Sequence, residues 1–196
     1  DIVGLEFLEA IVAACERDAA PAILSLAESH FTHYDFDTLM PAVVDAARRA
    51  QVPMAVHLDH GTTAGTVTRA IRLGCNAVMV DASHLPFDDN LRITSEVARL
   101  ARDCGIPVEG ELGYVPGVEG EDAELHPGEV RMTEPEEAAR FVAETGVDCL
   151  AVSVGTVHGR MRGTPRLDLE RLARIRDATG VPLVIHGGTG LSAARK

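Results

Sequence analysis

Six short apolar runs rich in β-branched residues alternate along the chain with six stretches of helical spacing, with glycine or proline marking the joins. The apolar runs cover residues 22–26, 54–59, 77–81, 108–112, 149–154 and 183–186. Each is short enough for a strand and apolar on both faces. That is the signature of a parallel sheet whose faces are covered by helices. Pro21, Pro53, Pro107 and Pro182 stand just before four of the runs, where a missing N–H costs no ladder bond. Helical spacing predicts helices over 5–19, 39–50, 63–73, 90–104, 134–145 and 169–179. Gly74, Gly105, Gly146 and Gly180 stand where the helices over 63–73, 90–104, 134–145 and 169–179 should stop.

The runs recur about every thirty residues, the length of one βαβ unit. A closed eight-fold barrel needs about 250 residues, and the chain has 196. The expectation is therefore an α/β fold, a (β/α)8 TIM barrel whose first and last strands lie outside this chain. It would form a single catalytic domain over residues 1–196, truncated at both ends. The competing architecture is an open flavodoxin-type sheet. No glycine-rich phosphate loop follows the first run, and polar residues gather at the C-terminal ends of nearly all the runs, which favours the barrel.

Composition narrows the partners. A net charge of −12 argues against a nucleic-acid backbone. Hydrophobic residues make up 46% of the chain and charged residues 24%, a balance that supports a packed core rather than disorder. No run is long and apolar enough to span a bilayer, so no membrane partner and a cytoplasmic location are expected. Cys15, Cys75, Cys104 and Cys149 are widely spaced with no C-x-x-C pair and read as reduced thiols.

The run ends carry the chemistry. They read His57-Leu58-Asp59-His60-Gly61, Asp81-Ala82-Ser83-His84, Glu109-Gly110-Glu111, Gly155-Thr156-Val157-His158-Gly159 and His186-Gly187-Gly188-Thr189-Gly190. A barrel would gather these tips at one mouth. Three imidazoles with an open position make a catalytic zinc site, and imidazole suits zinc better than magnesium. A histidine alone at a strand end is more often a structural hydrogen-bonder. Here three of the eight histidines are each followed by glycine at a strand end, and glycine lets backbone approach a ligand closely or turn sharply.

Those five segments, in order and at family spacing, resemble the class II (zinc-dependent) fructose-bisphosphate and tagatose-bisphosphate aldolases. The likeness extends over nearly the whole chain. It implies that His60, His158 and His186 ligate Zn2+, and that Asp81 and Glu111 serve an alternative or second metal position. A second divalent or a monovalent cation is admitted by the same likeness. Asp59 matches the catalytic aspartate and Glu119 the mobile-loop glutamate. Gly159, Gly187 and Thr189 match phosphate contacts, and Arg162 stands where the family often has a lysine. Ala27 occupies a position where many relatives have a phosphate-contacting serine. Read without the family, Glu119 is more readily a solvated acid among Glu121, Asp122 and Glu124, and Arg162 is equally a surface arginine beside Arg160 and Arg166.

The implied reaction is reversible, metal-dependent aldol cleavage of a ketose 1,6-bisphosphate, fructose- or tagatose-bisphosphate, to dihydroxyacetone phosphate and an aldehyde phosphate. Its partners would be a sugar phosphate and further copies of the chain, as a homodimer or homotetramer. Lys196 is the only lysine, so an imine mechanism lacks a nucleophile in this chain. Three alternatives stand beside this reading. One is a 6-phospho-5-dehydro-2-deoxygluconate aldolase, and another a non-catalytic aldolase-like partner subunit. The third is a zinc hydrolase using His57 and His60, which a regular strand would point to opposite faces.

Overall fold

The computed structural model describes residues 1–115, 117, 131–158, 167–188 and 191. The elements alternate as the sequence pattern predicts. They are α1 (Leu5–Arg17), β1 (Ala22–Ala27), a 3-10 turn (Glu28–Thr32), α2 (Phe36–Arg49), β2 (Met54–Gly61), α3 (Ala64–Leu73) and β3 (Ala77–Val80), followed by α4 (Phe87–Asp103), β4 (Val108–Leu112), α5 (Pro135–Thr145), β5 (Cys149–Val152), α6 (Leu169–Thr179) and β6 (Leu183–Val184). The six strands form a sheet in sequence order, β1-β2-β3-β4-β5-β6. The β1–β2, β2–β3, β4–β5 and β5–β6 pairs are all parallel. Among the described residues no helix is long and apolar enough to cross a membrane.

Local chemistry accounts for the element ends. Helices α3, α5 and α6 stop at Gly74, Gly146 and Gly180, each in the left-handed conformation, which costs glycine no Cβ clash. The start of α2 lies three residues earlier than the sequence pattern suggests. The Asp35 carboxylate accepts the Thr38 N–H at 2.7 Å and so caps an additional first turn. The last two strands are shorter than expected and end at Val152 and Val184, so Val154 and His186 lie just beyond the ladder.

The chain packs as two compact units, Asp1–Val80 with Arg99–Val108, and Asp81–Ala98 with Glu109–Lys196. In the first, Leu24, Leu26, Leu58 and Met79 from the strands are buried with Phe36, Met40 and Val43 of α2. Phe31 stacks on Phe36 with ring centroids 4.0 Å apart, which fixes the 3-10 turn after β1. In the second, Leu112, Leu150, Val152 and Val154 pack with Ala138 and Phe141 of α5 and Ile175 of α6. Burying a Phe or Leu side chain is worth about 1.5–3 kcal/mol, so Phe141, fully buried, is a main anchor of that layer. The four cysteines are free thiols.

Candidate active site

In the first unit the site residues come from the end of β2. Its register against β3 shifts between Leu58 and Gly61, and His60 has φ +47°. A left-handed backbone at a non-glycine residue costs of order 1–3 kcal/mol and persists only where its surroundings enforce it. Gly61 is one such constraint, because a Cβ there would sit 2.7 Å from both the Met79 carbonyl and a Leu58 methyl. The His60 N–H donates to Met79 Sδ at 3.4 Å. The irregularity changes what sequence position alone implies. Consecutive residues of a regular strand point to opposite faces, yet here Asp59 Oδ1 lies 4.0 Å from His60 Nε2. Asp59 is buried.

In the second unit Asp81 follows β3. Its Oδ1 accepts the Ser83 N–H at 2.9 Å, and the Ser83 hydroxyl donates to Glu111 Oε1 at 3.2 Å. Asn90, buried on α4, donates to the Glu111 carbonyl at 2.8 Å and accepts from the Thr94 hydroxyl. Asp81 and Glu111 each offer a carboxylate oxygen within 4.8 Å of the other. His158 and His186 likewise offer ring nitrogens within 4.8 Å of each other, with ring centroids 5.7 Å apart and edge to face. Val157 and Gly187 explain how the two loops come so close. Gly187 has φ +71°, and a Cβ on it would collide with the Val157 carbonyl.

Glu109 and Glu111 lie two apart on β4 and so share a face. Glu109 Oε1 sits 3.0 Å from His186 Nε2; Glu109 is buried and His186 partly so. The Cys149 thiol lies 3.9 Å from the other Glu109 oxygen. Burial, then the negative charges of Glu109 and Asp148, push that thiol up to about 12, so it stays protonated and donates to the carboxylate. Sequence reading placed Glu109 at the strand end without a role. The signal was its i, i+2 relation to Glu111. Ser83 and Asn90 carried no sequence signal of comparable strength.

Zinc is tested by this donor chemistry, and the residues fit. Two imidazoles within reach of a shared ion stand among carboxylates, and His186 Nε2 pairs with the Glu109 carboxylate. That pairing is usual for a metal-bound histidine, because it fixes tautomer and ring orientation. Gly187 directly follows His186. Glu119, Gly159, Arg162 and Thr189 lie outside the described residues.

Comparison with known proteins agrees with this chemistry. Residues 1–195 match the family model "Fructose-bisphosphate aldolase class-II". The fructose-bisphosphate aldolase of Geobacillus stearothermophilus is 42% identical over 194 residues, covering 97% of this chain and 67% of that protein. Among solved structures, the YdjI aldolase from Escherichia coli K12 superposes with a TM-score of 0.85 at 36% identity, over 96% of this chain and 66% of that one. A candidate fructose-1,6-biphosphate aldolase from Coccidioides immitis gives 0.88 at 36% identity, over 97% and 68%. These likenesses place the chain among the aldehyde-lyases. The chain belongs to the class II fructose-bisphosphate aldolase family, and it spans about two thirds of the length of these relatives.

Proposed function

We propose that the protein to which this chain belongs cleaves a ketose 1,6-bisphosphate reversibly to dihydroxyacetone phosphate and an aldehyde phosphate. The observation that carries this reading is the pairing of His158 and His186 with ring nitrogens within 4.8 Å, one of them backed by the Glu109 carboxylate. In the proposal His60, His158 and His186 hold Zn2+, and Asp81 and Glu111 serve a second cation position. The bound cation supplies Lewis-acid polarisation of the substrate ketone.

The rest falls to side chains. Asp59 takes the proton from the C4 hydroxyl as the C3–C4 bond breaks, leaving the aldehyde and an enediolate. Glu119 delivers a proton to C3 of that enediolate, which yields dihydroxyacetone phosphate. Gly159, Gly187 and Thr189 offer backbone or hydroxyl donors to a phosphate, and Arg162 adds a charge-assisted contact. The six-stranded sheet is assigned to a (β/α)8 barrel, with residues 1–196 in one catalytic domain. The working form is a cytoplasmic homodimer or homotetramer. Fructose bisphosphate, suggested by the names of the relatives, leads tagatose bisphosphate and 6-phospho-5-dehydro-2-deoxygluconate as substrate.

The test is to assay the three substrates before and after exhaustive chelation, then after adding zinc back. Activity should vanish with the metal and return with it. Full turnover from metal-free protein would overturn the mechanism.

A further inference from the structure

Past the left-handed His60 the chain is held first by Gly61, which pairs with β3, and then at Thr62 by a residue from a different strand end. Parallel pairing sets Ala27 opposite Asp59, so Glu28, the first residue past β1, stands level with His60. Its side chain reaches past His60 to the turn that follows. Glu28 Oε2 accepts the Thr62 N–H at 2.6 Å and the Thr62 hydroxyl at 3.0 Å. Its other oxygen accepts the Thr66 hydroxyl at 2.8 Å. One carboxylate thereby ties the turn after β1 to both the turn after β2 and the first part of α3, across 34 and 38 residues of sequence.

We propose that Glu28 is a positioning residue for the metal site: by clamping Thr62 it holds the strained backbone of His60 in the conformation that aims its ring at the cation. The inference rests on the assignment of His60 as a ligand. Upstream, His60 is confined by the β2–β3 ladder through Leu58; immediately downstream, Gly61 pairs with Val80 and packs against Met79 and Leu58. One residue further on, a charge-assisted bond ties the Thr62 N–H to Glu28. A strained φ relaxes when one of its constraints is removed, and a relaxed His60 swings its ring away from the position it must share with other ligands.

Capping alone is a separate role, and the contacts distinguish the two. Helix α3 already has its own cap, because Thr63 Oγ1 accepts the Thr66 N–H at 3.1 Å. Thr66→Val removes the α3 end of the clamp and leaves the Thr62 contacts. Glu28→Ala and Glu28→Asp remove or shorten the whole tether. Glu28→Gln can keep it: the amide oxygen accepts from Thr62, and the amide nitrogen donates to the Thr66 oxygen, whose own proton then turns to Thr63, 3.0 Å away.

The experiment is cobalt(II) titration of metal-free wild type and the four variants. It is followed by calorimetry and by the visible d–d absorption of bound cobalt, with melting temperatures alongside. Outer-shell partners typically change metal affinity by 10–100-fold. Glu28→Ala and Glu28→Asp should therefore bind cobalt at least about tenfold more weakly, with an altered d–d spectrum. Glu28→Gln and Thr66→Val should stay within about threefold of wild type. If Glu28→Ala does not fold, Glu28→Asp carries the test. Wild-type affinity in Glu28→Asp, or an equal loss in Thr66→Val, overturns the positioning role and leaves the metal site standing. Wild-type protein that binds no cobalt overturns the metal site itself, and this inference with it.

Discussion

The tip of β2 and the tips of β4–β6 hold their histidines by different means. At β2 the backbone does the work. His60 sits at φ +47° beyond a register shift, wedged by Gly61 and tethered through Thr62. At β4–β6 side chains do it. His186 is held by Glu109 at 3.0 Å, and the loops carrying His158 and His186 approach because residue 187 has no Cβ. A ligand placed by backbone strain loses its position when the chain relaxes. A ligand placed by a hydrogen bond loses its tautomer and ring angle when the partner changes. The two regions should therefore fail differently.

The largest effect is expected from Gly187→Ala. The new methyl must displace the Val157 backbone and also occupy a left-handed conformation, so a loss of about 3 kcal/mol or more is expected. Denaturant unfolding measures it, and a wild-type midpoint would show that the two loops move apart easily. Next comes Glu109→Gln, which keeps the shape but removes the carboxylate from His186. Zinc affinity should fall 10–100-fold, with little change in thermal midpoint. Competition with a chromogenic chelator reads the affinity, and an unchanged value would remove Glu109 from the site. The smallest effect sharpens the contrast. His60→Gly relieves the left-handed strain, so the protein should gain up to about 1 kcal/mol in unfolding free energy while losing the metal. His186→Gly should lose the metal with no such gain. Equal stability changes in the two variants would erase the distinction.

Much of the fold was readable because its signals are local. Proline before a strand and glycine after a helix act within a few residues of themselves. So do the caps at Asp35, Thr63 and Asp168, whose side chains accept backbone N–H groups three residues on. The candidate ligands were readable because histidine followed by glycine at three strand ends is an uncommon coincidence. The supporting residues were not. Glu109 meets His186 across 77 residues, and Ser83 meets Glu111 across 28. The argument against His57 and His60 sharing an ion assumed a regular strand, and β2 is not regular past Leu58.

By itself, the sequence determined the order, kind and approximate length of the elements, and which residue types stand at the strand ends. Those depend on side-chain periodicity and on the φ preferences of glycine and proline, both properties of a short segment. Only the tertiary structure decided which way His60 faces, which carboxylate holds His186, and that Glu28 reaches Thr62. Each of those depends on strand register and on contacts between distant segments, and distances of that kind exist only once the chain has packed.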